Sequence, residues 1–314
     1  MATPTLKRPA QKIPRNDHPE VVDPRWLLKA LAVTIGGAAL LGYLALCLLI
    51  YQGSWQLLLT PSPTVASTPS VPFQSIRFDS AETGTPRLSG WWIPAESSST
   101  TRTILFLHGG SGSLSTSVPE LELLHQADAN VFALDYRGFG HSDGPHPTEA
   151  RMRQDAAAAL NFLTGTRHIP VAQIVPCGEG LAAVLAADLA AANPGLTAVI
   201  LDNPDPAAYL RATSTSRSRL MPMDLLMQEH FDIASSIPRI RQPRLLLADG
   251  PFAFDHDRVA ANQALFRAAP DPKMVITFDS KSGTPNTSGA YIQAVRRFLD
   301  EYVPAAIPTL SPTL

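Results

Sequence analysis

Residues 135–150 read DYRGFGHSDGPHPTEA. The stretch opens at the end of an apolar, β-rich run, Val131–Tyr136, and closes where a helical pattern begins. Thr148 stands in the capping position of that pattern, which continues through Glu149–Leu163. Between run and cap lie Gly138, Gly140, Gly144, Pro145 and Pro147, the punctuation of a loop. The unit is therefore strand, loop, helix.

The same alternation spreads in both directions. Short apolar or β-branched runs recur at Ser75–Phe78, Gly90–Ile93, Thr103–Leu107, Gln173–Cys177, Ala198–Asp202, Arg244–Ala248 and Met274–Phe278. Helical patterns occupy Leu181–Ala192, rich in Ala, and Thr287–Tyr302, which places Ile292, Val295, Phe298, Leu299 and Tyr302 on one face. Two early strands followed by strand–helix alternation predict an α/β domain with a mostly parallel sheet and helices on both faces. No internal repeat is visible.

Composition narrows the function classes. The 314 residues are 45% hydrophobic and 17% charged, which excludes a disordered chain. With 25 Lys plus Arg against 27 Asp plus Glu, the net charge of -2 argues against a nucleic-acid binder. Two cysteines, Cys47 and Cys177, provide neither a disulfide framework nor a Cys-rich zinc site. No histidine pair has metal-ligand spacing, so neither a metal nor a cofactor is expected.

Charge is unevenly placed. Residues 1–29 form a basic segment with six Lys/Arg and three acids, and Ala30–Ile50 then runs 21 residues without a charge. At 1.5 Å per residue that is roughly 31 Å of helix, enough to cross a bilayer core. Trp26, Tyr51 and Trp55 fit an interfacial aromatic belt. The apolar run is too long for a cleaved signal peptide and reads as a signal anchor over residues 30–51. No positive residue follows the span until Arg77, so the positive-inside rule puts the N-terminus in the cytoplasm and the rest outside. The Ala38/Gly42 pair has the small-xxx-small spacing of helix dimers, a weak signal in so Ala/Gly-rich a segment.

Residues 52–72 are rich in Pro, Ser and Thr and read as a semi-extended spacer that holds the next domain away from the membrane. That domain spans 73–303, and the Pro-containing tail 304–314 reads as disordered.

Four segments carry a family resemblance: LSGWWIPA at 88–95, LFLHGG at 105–110, the 135–150 stretch, and CGEGLA at 177–182. On them the chain resembles the α/β-hydrolase superfamily, in particular its membrane-anchored serine hydrolase-like (esterase- or lipase-like) members. The resemblance covers nearly all of 73–303. It implies the α/β-hydrolase fold, with a mostly parallel eight-stranded sheet, here preceded by one transmembrane helix.

Members of that family carry a serine on a sharp strand-to-helix turn, G-x-S-x-G, with an acid and a histidine following in chain order. The hydroxyl needs the histidine as base, and the histidine needs the acid to orient it. Here the turn reads Gly178-Glu179-Gly180-Leu181-Ala182, so Gly180 stands at the nucleophile position. The acid position falls on Ala253, with Asp255 or Asp257 as substitutes if the loop is longer and Asp249 on the wrong side of the glycine. Thr284 stands where the histidine belongs, and no histidine follows His256. All three triad positions are thus degenerate.

Other nucleophile candidates are weaker. Gly140-His141-Ser142-Asp143-Gly144 matches G-x-S-x-G by letter, but no helix begins at Ser142. Cys177 ends a strand and reads as a core cysteine. His108 precedes the Gly109-Gly110 turn and reads as a residue that orients that loop. His125, His141, His146, His168 and His230 show no catalytic or metal pattern.

What the resemblance leaves intact is the oxyanion hole, built from backbone N–H groups near Gly109, Gly110 or Ser111 and from Leu181. Three readings follow. The first is a catalytically silent, membrane-anchored α/β-hydrolase-like protein binding a small acyl or carboxylate ligand. The second is an active ester or lipid hydrolase drawing on Ser111, Ser113 or Ser142 with Asp255, His256 and Asp257. The third is a structural partner of envelope proteins. The bilayer is an expected partner through residues 30–51; nucleic acid is not.

Overall fold

The computed structural model describes residues 23–62, 67–80, 87–97, 100–214, 220–249, 256–278 and 289–303. Two compact units result, one ending at Leu49 and one comprising Ile50 onward. The first is the apolar part of helix α1 (Pro24–Gly53), the one helix among the described residues long and apolar enough to cross a membrane.

The second unit is built on eight strands: β1 (Gln74–Asp79), β2 (Arg87–Ile93), β3 (Thr103–Leu107), β4 (Asn130–Asp135), β5 (Ile174–Glu179), β6 (Val199–Asp202), β7 (Arg244–Asp249) and β8 (Lys273–Phe278). They lie side by side in the order β1-β2-β4-β3-β5-β6-β7-β8. Only β2 runs antiparallel to its neighbours; every pairing from β4 to β8 is parallel. Parallel strands covered on both faces need apolar side chains in both directions. Thr103–Leu107 is accordingly buried at every position.

Alternate residues feed opposite cores. Leu105, Leu107, Phe132, Leu134 and Val199 pack on one face with helices α3 (Glu149–Asn161) and α4 (Ala183–Ala192). Ile104, Phe106, Val131, Ala133 and Val175 pack on the other with α2 (Val118–Gln126) and α6 (Gly289–Tyr302), a helix that follows α5 (His256–Ala268). Helix α3 starts as its cap predicts, Thr148 Oγ1 accepting from Arg151 N–H at 3.2 Å.

The segment expected to stand off as a spacer is instead docked. Leu59 is buried in the core, Thr60–Pro61 pairs in parallel with Ser111–Gly112, and Ser62 N–H donates to Gly112 C=O at 2.7 Å. Farther along, Ser67 Oγ reaches Ser115 C=O and Ser70 reaches the Glu122 carboxylate. A semi-extended backbone has free donors and acceptors, and the loop beside it presents matching ones. The basic segment through residue 22 and the tail 304–314 lie outside the described residues.

The 135–150 stretch is locked by a buried ion pair. Arg137 donates through Nε to Asp155 Oδ1 at 2.7 Å and through its backbone N–H to Oδ2 at 2.9 Å, with both side chains almost fully buried. Removing one partner strands the other charge without water. Asp155→Ala is expected to destabilise the domain by about 3–5 kcal/mol, measured by urea denaturation.

Candidate functional site

The site forms where strand ends meet loops. The register Phe106↔Cys177 and Leu107↔Gly178 sets β3 beside β5, so the His108–Gly112 loop and the turn after β5 emerge together. That turn is a sharp strand-to-helix elbow, Gly180–Ala182 making one tight turn before α4. A Cβ on Gly178 would lie 2.3 Å from Ala182 C=O, so only glycine lets the helix begin this close to the strand. Gly180 has φ +57°, the left-handed region, and a Cβ there would meet nothing within 4 Å. The elbow of a nucleophile is present, and it points a hydrogen into open space.

Backbone groups around the elbow are pinned. Gly180 C=O accepts from Asp205 N–H at 3.3 Å. His108 Nδ1–H donates to Gly109 C=O at 2.8 Å. A trans peptide points its N–H opposite its C=O, so this bond turns Gly110 N–H away from His108. Burial pushes the His108 pKa down and keeps the ring neutral, while Nε2 lies 3.9 Å from Asp135 Oδ1. His108 thus orients the loop, the role expected from sequence. By the same geometry Thr60 N–H, donating to Gly110 C=O at 2.7 Å, fixes the direction of Ser111 N–H. Leu181 Cδ1 lies against Gly110, 2.8 Å from where a Cβ would stand, so two of the four oxyanion candidates are in contact. Gly109 N–H faces Glu179 Oε2 at 3.4 Å.

Glu179 is the residue sequence reasoning missed. Its pKa is raised to about 8, mainly by burial, then by the Glu120 and Asp202 carboxylates; Gly109 N–H and the Arg258 guanidinium oppose the rise. Asp202, at the end of β6, is buried and accepts from Tyr291 O–H at 2.6 Å. Arg258, from α5, is also buried and donates to Asn203 C=O. Glu120, Glu179, Asp202, Arg258 and Tyr291 come from five separate elements, so no local spacing links them. The one local signal was a carboxylate inside a glycine elbow. Among the described residues, no group of three or more His, Cys, Asp or Glu is arranged to hold a metal.

The other candidates sort by burial. Ser142 is buried; its Oγ–H donates to Asp135 C=O at 2.5 Å and its Oγ accepts from Ser89 N–H at 2.8 Å, so it clamps β2 to the loop. Burial pushes the Cys177 thiol pKa well up, holding it as an unreactive core thiol. Ser113 is buried against Ser115 at 2.8 Å, and Ser111 is exposed. Asp257 is exposed in the first turn of α5. Ala253, Asp255 and Thr284 lie outside the described residues.

This strand order, with its antiparallel second strand and an elbow after the fifth, is the α/β-hydrolase architecture. Residues 102–227 match the family model for the alpha/beta hydrolase fold, and the chain belongs to the α/β-hydrolase superfamily. It is 30% identical over 213 residues to the uncharacterized protein YfhR of Escherichia coli O157:H7, covering 65% of this chain and 70% of that one. It is 28% identical over 218 residues to the uncharacterized protein Rv2307c of Mycobacterium tuberculosis, covering 68% and 75%. Among solved structures, the Pyrococcus furiosus esterase Pf2001 superposes with a TM-score of 0.60 at 19% identity, over 79% of this chain and 99% of that one, a likeness of fold.

Two outcomes test the site's physics. Glu179 holds its proton in the folded state up to about pH 8 but releases it near 4.5 when unfolded, so its contribution to stability falls as pH rises between those values. Thermal melts of Glu179→Gln are expected to show a flatter decline across that window than the native chain. Ser142→Ala leaves Ser89 N–H and Asp135 C=O without their partner and is expected to cost about 1–3 kcal/mol in a urea titration.

Proposed function

We infer that this chain is a membrane-anchored α/β-hydrolase-fold protein that has lost nucleophilic catalysis and retains a binding role outside the cytoplasmic membrane. One observation carries the reading: the elbow keeps its left-handed backbone at position 180 while the side chain that would attack is absent. Acyl transfer at this elbow needs a covalent nucleophile with a base in reach. Buried Ser142 and Cys177, each committed to packing, do not substitute.

The ligand class is a small acyl or carboxylate group. The N-terminal end of α4 and the backbone N–H groups of Gly110 and Leu181 favour a negative oxygen. Glu179, protonated at neutral pH, does not repel it. The anchor is Ala30–Ile50, with the basic segment on the cytoplasmic side.

The perturbed Glu179 also favours a second reading, a hydrolase in which this carboxylate activates water directly. Fluorophosphonate labelling and ester turnover by the detergent-solubilised full chain separate the two. The silent protein is expected to show no labelling and turnover far below roughly 1 s⁻¹ on short acyl esters. A rate that rises with pH through 8 and disappears in Glu179→Gln establishes the second reading instead. Gly180→Ser is expected to remain unlabelled, because a serine without a base stays protonated, and to lose about 1–3 kcal/mol from strain at φ +57°.

A further inference from the structure

At the end of the sheet opposite the elbow, the chain entering β6 and β7 and the last turn of α4 surround a cavity of about 610 Å³. Thr197 stands two residues before β6 and Pro243 one before β7, whereas the elbow follows the far end of β5. The six residues of β7 rise about 3.3 Å each, which sets cavity and elbow on the order of 20 Å apart along the strands. Ala191, Pro194 and Leu196 give the cavity an apolar wall. Arg239 and Arg241 line it as well, and no carboxylate does among the described residues. Carbonyl oxygens at the C-terminal end of α4, where the helix dipole disfavours an anion, are capped. Gln242 Nε2–H donates to Ala190 C=O at 2.8 Å and to Asn193 C=O at 3.2 Å, and Asn193 Nδ2–H donates to Leu189 C=O at 2.8 Å.

Positive charge here exceeds its partners. Arg239 is paired with Asp188 at 2.9 Å. Arg241 is exposed, and its guanidinium makes no hydrogen bond or ion pair with any described residue. Arg244 lies behind the same wall. Its Nη2–H groups donate to Ile240 C=O at 3.0 Å and Gln242 C=O at 2.9 Å, which brackets Arg241 between two pinned carbonyls. Arg244 shares the parity of Leu246 along β7, so it points to the face of the sheet on which Leu196 also packs. It is fully buried, and among the described residues its Nε and Nη1 have no hydrogen-bond partner. Burial pushes its pKa down, and the attraction of Asp271 opposes the fall. A buried cation without a bonded counter-ion is costly, and an anion bound in front of it offsets that cost.

We propose that this cavity is a second ligand site, taking a small organic oxyanion: a carboxylate or phosphate monoester with a short apolar body. Arg241 holds the charged end directly, because its planar fork matches a pair of oxygens and has no other partner. Arg239 flanks it, and the buried Arg244 attracts it from behind the turn. Ala191, Pro194 and Leu196 receive the apolar body. The site is independent of the elbow and of residues 1–49.

Isothermal titration calorimetry of the full chain in a nonionic detergent tests this. Phenyl phosphate and benzoate serve as the anions, and benzyl alcohol as their uncharged analogue. At least one anion is expected to bind, and benzyl alcohol to bind at least roughly tenfold more weakly, as for the loss of a hydrogen bond to a charged group. The Arg241 side chain anchors nothing in the fold, so Arg241→Glu is expected to keep its stability in urea. The same variant is expected to weaken the anion at least roughly tenfold. Arg241→Lys keeps the charge without the fork and is expected to fall between the two. Failure of both anions to bind at millimolar concentration overturns the proposal. Anion binding unchanged in Arg241→Glu overturns it too, and places the ligand elsewhere on the chain. Benzyl alcohol binding as tightly as the anions overturns the assignment of an oxyanion.

Discussion

One buried carboxylate, Asp135, ties together the two loops that frame the elbow. It ends β4, and its Oδ1 accepts from Leu114 N–H at 2.9 Å while Oδ2 accepts from His141 N–H at 3.2 Å. Its own C=O takes the Ser142 hydroxyl. A buried carboxylate is tolerated only when its lone pairs are satisfied, so both loops must close around it. The loop following His108 and the loop of 137–144 are thereby fixed by the same residue. The ion pair between Arg137 and Asp155 then fastens the second loop to α3. A charge this deep is costly, and it makes the local geometry unique because few loop arrangements supply all its donors.

Much of the fold was legible because its signals are local. The run Thr103–Leu107 coincides with its strand, six others fall within a residue or two of theirs, and Gly90–Ile93 covers only the second half of Arg87–Ile93. Thr148 announces α3 because a cap bond spans only three residues. Two helices, Val118–Gln126 and His256–Ala268, were not read from the sequence; the first opens with Pro119 beside a serine-rich loop. The elbow glycines were readable, since close approach and positive φ demand glycine itself. The Glu120–Glu179–Asp202 grouping was not, because three strand and helix ends far apart in the chain meet only when the sheet is assembled. The docking of Thr60–Pro61 was hidden for another reason. Its hydrogen bonds belong to the backbone and leave no trace in side-chain type.

An elbow without a nucleophile is a different physical object from a mutilated enzyme. In an enzyme the left-handed backbone at this position is strain held in place by the packing around it. With glycine at 180 that strain is absent, while Gly178 still permits the helix to start against the strand. The turn is retained as architecture: Gly180 keeps the left-handed conformation, and α4 begins one tight turn after the strand.

The docked segment after α1 changes where the domain begins. Leu59 fills the core, and Thr60 and Ser62 bond a loop that lines the elbow, so these residues are structural members of the unit rather than its leash. A soluble fragment cut at Phe73, where the β-rich pattern starts, removes a strand partner of Ser111–Gly112 and opens the core beneath Leu59. A cut ahead of Ser54 retains both and parts the chain where the apolar helix gives way to the folded body.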